Sequence, residues 1–431
     1  MPFYTGLKPT ETDSPMRKRT VERLIALREA LAKHLKDQGS NANRSKTVRI
    51  CTWNIREFGG DKHSGRSLES LYYIAEIISH FDIIALQEVR EDLEEFYTLL
   101  KILGPDWDFL ASDVTEGRSG NGERMVFLFN QRKAHFQNIA GELTLPSSEK
   151  ILASFGERLL LEAGCTLSLP NGIDLSGVYK ARTKKVGSKI KLDRDLEIEL
   201  PDGCSINLPS GCSLSVRKNS VIERPQRGHA KIDFDSNQIT SKTNQKYGVR
   251  FPGGSLDDSF KQFSRTPYIV SFQAGWLKIN FCTVHIYFGD NEDPNLLARR
   301  KAEIAALTKS LGDRAVKEYE DDPENRTLLS LLGDFNIISK EHETMEALES
   351  NGFVVPEELK EVPGTNVKKD KAYDQIAFWK PEIDRGYAKL DIVSAGVFDF
   401  FEHVYRKSDA AKYKTEMGST RESYSNWRTY K

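Results

Sequence analysis

The sequence predicts an α/β protein with a sheet-based core and helices outside it. Three observations carry that expectation. Buried-type strands alternate with amphipathic helices, as in TVRICTWNI, then SLESLYYIAEIISHF, then DIIALQEV. The 431 residues, 39% hydrophobic and 29% charged, suffice for one large core plus an elaboration. No run approaches membrane-spanning length, and the start MPFYTGLKPTETDSP lacks the apolar segment of a secretory signal.

Residues 1–15 read as an irregular arm. From Pro15 to about Lys36, Val21, Leu24, Leu27, Leu31 and Leu35 recur at helical spacing among basic residues. Two readings stand for this helix: it docks on the main domain, or it binds a partner through its basic face. A polar linker follows, then the strand–helix–strand unit quoted above. Further strands are expected at RMVFLFN, YIVSFQAGWLKINFCTVHI, TLLSLLGDFNI and YDQIAF, and a helix at NLLARRKAEIAALTKSLGDRA. The stretch from about Thr144 to Lys246 differs in style. Leu-Pro followed by Asn-Gly, Asp-Gly or Ser-Gly recurs between alternating apolar residues, which is hairpin-turn chemistry. The expected organisation is an arm and helix (1–46), a first domain part (47–143), a β-rich insertion (144–246) and a second domain part (247–431). The insertion's basic run KARTKKVGSKIK is either a solvated hairpin or a clamp on a phosphate backbone.

A formal net charge of −1 excludes a strongly basic nucleic-acid binder, so any polyanion site must be a local patch. Five scattered cysteines (51, 165, 204, 212, 282) form no metal-type or redox-type pair. The odd count and the absence of a secretory start point to a reducing compartment, the cytoplasm.

The chemistry concentrates at strand ends. In LLSLLGDFNI, Asp334 and Asn336 lie two apart and share a face of an extended strand. Glu88 ends IIALQEV, where a lone acid is costly unless it meets a cation. Asn54 in TWNI, His285 in FCTVHI and Asp374 in YDQIAF occupy similar positions. Each alone reads equally well as a satisfied structural polar group. Five strands each ending in an acid, an amide or an imidazole read as one site at one sheet edge.

The order WNI, LQEV, GERMVFLFN, FSRTPYIV, TVHI, GDFN, YDQI resembles the endonuclease/exonuclease/phosphatase superfamily, its deoxyribonuclease I-like branch especially. The matching segments run from about Val48 to about Phe378, the insertion aside. The resemblance implies a four-layered sandwich of two packed β-sheets flanked by helices. It also implies a divalent-metal-dependent phosphodiesterase, most readily an endonuclease acting on DNA. A phosphatase or phospholipid phosphodiesterase of the same superfamily is the alternative, and a catalytically silent binding module is a third.

Carried over by position, Glu88 resembles the principal metal ligand, with Asn54 beside it. Mg²⁺ suits that pair, with Mn²⁺ or Ca²⁺ as substitutes. Asp334 resembles the residue that orients or deprotonates the attacking water, and Asn336 a phosphate-positioning amide. His285 resembles the acid–base histidine, and Glu123 in GERM the carboxylate that pairs with it. Arg265 in FSRTP matches a family arginine. Arg56 and Arg90 are candidate phosphate contacts, and for all three arginines ion pairing is the competing reading.

In the family a terminal Ser-Asp-His follows, its imidazole paired with the aspartate matched by Asp374. Here there is none. His403 sits among aromatic residues, and Ser408-Asp409 is followed by alanine. The expectation is a sequence cut short before that motif; the alternative is a protein that ends here, with Asp374 unpaired and a sheet edge exposed. In both cases this chain should turn over phosphodiesters much more slowly in Mg²⁺. Turnover at the rate of an intact family member would overturn it.

Overall fold

The computed structural model describes residues 1–8, 14–37, 46–60, 65–115, 122–145, 263–322, 327–379 and 392–431, together with short strands between 151 and 260. Two compact units divide the chain: Ser147–Lys261 with Gly289–Ala302, and the remainder. Within the smaller unit short strands pair antiparallel, Leu196–Glu199 with Ser205–Leu208 and the latter with Gly248–Phe251. The basic stretch 180–188 and the repeated Pro-x-Gly turns lie outside the described residues.

The larger unit is built on two mixed sheets. The first holds β1 (Ile50–Phe58), β2 (Ile83–Arg90), β3 (Trp107–Ala111) and β4 (Glu123–Asn130) in the order β1-β2-β4-β3. The second holds β5 (His135–Glu142), β6 (Tyr268–Ala274), β7 (Leu277–His285), β8 (Leu328–Asp334), β9 (Phe353–Val354) and β10 (Asp374–Trp379). Its order is β9-β10-β8-β7-β6-β5. The pairs β1/β2 and β7/β8 are parallel, and every other ladder in these two sheets is antiparallel.

Strand β2 shows why the sequence folds this way. Successive side chains of a strand point to opposite faces. Ile83 and Ala85 enter the core between the sheets, with Met125, Phe127, Phe272, Phe281 and Leu332. Ile84 and Leu86 enter the outer layer, against Leu24, Leu27 and Leu31 of α1 (Pro15–Asp37), α2 (Leu68–Ile78) and α3 (Glu94–Leu103). A strand covered on both faces must be apolar throughout, which is how β2 reads. The side chain of Ser67 caps α2 by accepting from the Ser70 amide. Helix α4 (Pro294–Asp321) buries Ile304, Leu307 and Leu311. Leu311 shares a small cavity with Ile269 and Trp379 of the second sheet. Helices therefore flank both sheets. Among the described residues no helix is long and apolar enough to cross a membrane.

Helix α1 docks by charge as well as by leucines: Arg19 pairs with Glu69, and Arg28 with Glu76, both on α2. The expected long strand Tyr268–Ile286 is a hairpin, turned at Gly275 with φ 62°. Strands β3 and β5 had no signal in the pattern; β5 is exposed along most of its length. The last forty residues form short helical turns that place Val404, Tyr405, Tyr413 and Trp427 in the outer core. His403 there stacks on Phe398, and Asp409 pairs with Arg23 at 2.9 Å and with Arg406 at 3.2 Å.

Phe272 is fully buried and meets the rings of Phe127, Phe129 and Phe281. Phe272→Ala should cost about 3–5 kcal/mol in urea unfolding. Trp276→Ala, at a residue 72% exposed, should stay within about 0.5 kcal/mol.

Candidate active site

Strand register builds the site. His285 on β7 is the ladder partner of Asp334 on β8, and Asp334 is the partner of Asp374 on β10. Partners in neighbouring strands present side chains to the same face, so an imidazole and two carboxylates stand in a row. Gly333, at φ 146°, makes that row tight: a Cβ there would lie 2.1 Å from the Val284 carbonyl oxygen. The first sheet contributes through two ladder irregularities, one after Asn54 in β1 and one between Leu86 and Val89 in β2. Arg56, Glu57 and Glu88 have φ of 56°, 51° and 63° at those points. Bulges of this kind re-aim side chains, and here they bring Glu88 and Asn54 together.

The Asn54 amide nitrogen donates to Glu88 Oε1 at 2.8 Å and to Asp334 Oδ2 at 3.0 Å, joining the two sheets. The Glu57 backbone N–H donates to Glu88 Oε2 at 3.0 Å. His285 Nδ1 lies 3.1 Å from Glu123 Oε1, while Nε2 faces Glu88 at 4.0 Å and Asp334 at 3.9 Å. Glu123 is also ion-paired with Arg265, and both are buried. Asn336 donates its backbone N–H to Asp334 Oδ1 at 2.9 Å and its side-chain amide to the Ile286 carbonyl at 2.8 Å.

Electrostatics sort these groups. Burial, and after it the Arg265 charge, hold His285 below the usual imidazole range against the pull of Asp334 and Glu88. A neutral ring protonated at Nδ1, 3.1 Å from Glu123 Oε1, would leave the Nε2 lone pair facing the site. Burial acts to raise Glu88, but His285, Asn54 and the Glu57 amide outweigh it and keep its carboxyl below the ordinary range. Asp374 goes the other way, pushed up to about 8 by burial and then by the Asp334 carboxylate. Its Oδ1 is closed from solvent and has no hydrogen-bond partner among the described residues.

All ten residues singled out in the sequence lie in the larger unit, but they do not share one place. Asn54, Arg56, Glu88, Arg265, His285, Asp334, Asn336 and Asp374 line one cavity of about 1280 Å³. Glu123 stands behind His285, outside that lining. Arg90 does not line the cavity and pairs with Glu57 at 3.4 Å. Arg265 contacts Glu123 and the carbonyls of His285 and Ile286. Arg56 donates to Thr429 and Tyr430. Sequence reading missed Thr365, whose hydroxyl accepts from the Asp374 amide at 2.9 Å, and Arg66, which donates to the Ile55 and Arg56 carbonyls. Neither lies in a periodic element, and no motif marked them.

Bovine deoxyribonuclease-1 is 36% identical over 92 residues, 20% of this chain and 32% of that protein. Canine deoxyribonuclease-1 is 37% identical over 87 residues, 19% of this chain and 30% of that protein. The chain thus spans about a third of the length of the curated relatives it matches. A solved superfamily protein from Bacteroides thetaiotaomicron is similar at 14% identity and TM-score 0.37, over 78% of this chain and 83% of that one. No family model matches the chain.

Asp374 gives a pH test. Its folded pKa lies above the unfolded value, so the proton it holds stabilises the fold below about pH 4. That contribution is lost as pH rises through about 8. In metal-free buffer, Asp374→Asn should gain on the parent in thermal midpoint from pH 5 to 8, and the gap should level off above 8. A pH-independent gap would contradict this.

Proposed function

We propose that this chain hydrolyses phosphodiester bonds with a divalent cation, with DNA as the leading substrate. The observation that carries the reading is the position of His285, its Nε2 facing Glu88 and Asp334 at 4.0 and 3.9 Å and its Nδ1 3.1 Å from Glu123. The donor set fits a hard cation. Glu88, Glu123 and His285 offer ligand atoms within 4.8 Å of one another. Arg265 commits Glu123, however, which leaves Glu88, with Asn54 beside it, as the side that would hold Mg²⁺, Mn²⁺ or Ca²⁺. Bound there, such a cation would polarise a phosphoryl oxygen and neutralise developing charge.

The remaining roles follow from placement. Asp334 accepts from Asn54 and from the Asn336 amide, which fixes its carboxylate to orient or deprotonate an attacking water. Neutral His285 takes or gives a proton at Nε2, and Glu123 stabilises the imidazolium. Asp374, protonated below about pH 8, is suited to give a proton to the departing oxygen. Asn336 holds the Ile286 carbonyl and so the chain beyond His285. Of the arginines that line the cavity, Arg56 is the candidate for substrate phosphate, whereas Arg265, paired with Glu123, is the candidate for holding Glu123 and His285. Deoxyribonuclease-1 among the similar proteins supports DNA as substrate. Scattered cysteines, with Cys51 and Cys282 both free, support a reducing compartment, the cytoplasm.

Supercoiled plasmid with Mg²⁺ or Mn²⁺ tests the reading. Cation-dependent nicking is expected, lowered about 10²–10⁴-fold by His285→Ala and abolished by Glu88→Gln. Hydrolysis of a phosphomonoester or a phospholipid with plasmid left intact would instead favour the alternative within the superfamily. Cation binding with no turnover of any of them would favour a silent binding module.

A further inference from the structure

Resting on the metal-side reading above, we propose that Arg66 is a positioning residue that sets the orientation of Glu88 through the turn after Asn54. One guanidinium nitrogen, Nη2, donates to two consecutive carbonyls, that of Ile55 and that of Arg56 at 2.6 Å. These carbonyls flank the first of two adjacent non-glycine residues in the left-handed region, Arg56 at φ 56° and Glu57 at φ 51°. A backbone so placed persists only where its surroundings hold it. The turn in turn holds Glu88 on both oxygens. Its Glu57 N–H reaches Oε2 at 3.0 Å, and the Asn54 amide reaches Oε1 at 2.8 Å, while Asn54 Oδ1 accepts from the Arg56 N–H at 3.0 Å. Arg66 thus acts two steps from the carboxylate, without touching it.

The same residue stands directly before Ser67, the cap of α2, so a purely structural role has its own test. Mn²⁺ binding to the whole chain, followed by electron paramagnetic resonance in the absence of substrate, gives a readout apart from activity. Four proteins are compared: parent, Glu88→Gln, Arg66→Ala and Ser67→Ala. The expected result is a Mn²⁺ affinity about tenfold weaker in Arg66→Ala and restored by added guanidinium, with Ser67→Ala binding as the parent does. Unchanged affinity in a folded Arg66→Ala protein overturns the proposal and leaves the metal reading intact. So does an affinity loss in Arg66→Ala that guanidinium does not restore, or an equal loss in Ser67→Ala. A parent whose Mn²⁺ binding is indifferent to Glu88→Gln overturns the metal reading itself, and this proposal with it.

Discussion

Four carboxylates, Glu88, Glu123, Asp334 and Asp374, crowd around one imidazole at the ends of strands from both sheets, and much of the nearby structure answers that charge. Like charges at such separations cannot all ionise without compensation, and low-dielectric surroundings sharpen the conflict. The fold meets it with four different devices. Glu123 meets the buried Arg265 cation and lies 3.1 Å from His285 Nδ1. Glu88 receives a backbone and a side-chain amide. Asp334 receives the Asn336 and Asn54 amides. Asp374, last in the row, is pushed up to about 8 by burial and by Asp334.

Holding amides in those directions needs unusual backbone. Arg56, Glu57, Glu88 and Asn336 all carry positive φ, and none is glycine. Such residues cost about 1–3 kcal/mol each and are retained where function requires the geometry. They sit at ladder irregularities or just past a strand end, so strain falls where pairing is already interrupted. Regular pairing on either side supplies the rigidity: the β1/β2 ladder runs unbroken from Ile50 to Asn54, and β7/β8 from Ile279 to His285.

This division explains what the sequence disclosed and what it hid. Strands β2, β7 and β8 were legible because two covered faces demand continuous apolar runs, and a polar residue ending such a run stands out. That is how Glu88, His285 and Asp334 came to notice, whereas Asp374 stood out between the apolar flanks of YDQIAF. Strand β5 was hidden because an exposed edge needs no apolar pattern. The break between β6 and β7 was hidden because Ala274, Gly275 and Trp276 interrupt the apolar run only briefly. Arg66 and Thr365 were hidden for another reason: each acts on backbone atoms, and no composition or spacing reports which carbonyl a distant side chain will meet. The difference between Arg265, paired with Glu123, and Arg56, which meets Thr429 and Tyr430, likewise depends on tertiary placement alone.

The two sheets meet at the site through polar bonds, Asn54 to Asp334 and Gln87 to Thr283 at 2.9 Å, while elsewhere they meet through aromatic rings. A hydrogen bond weakens steeply with misalignment, so these bridges tolerate little change in sheet separation. That separation is held by Phe127, Phe272 and Phe281, whose ring centroids lie 5.8–6.1 Å apart. Close-packed interiors do not deform continuously; they hold a spacing or repack to another. The aromatic core between the sheets is accordingly part of the site's geometry, since it sets the distance at which the Asn54 amide can serve Glu88 on one sheet and Asp334 on the other.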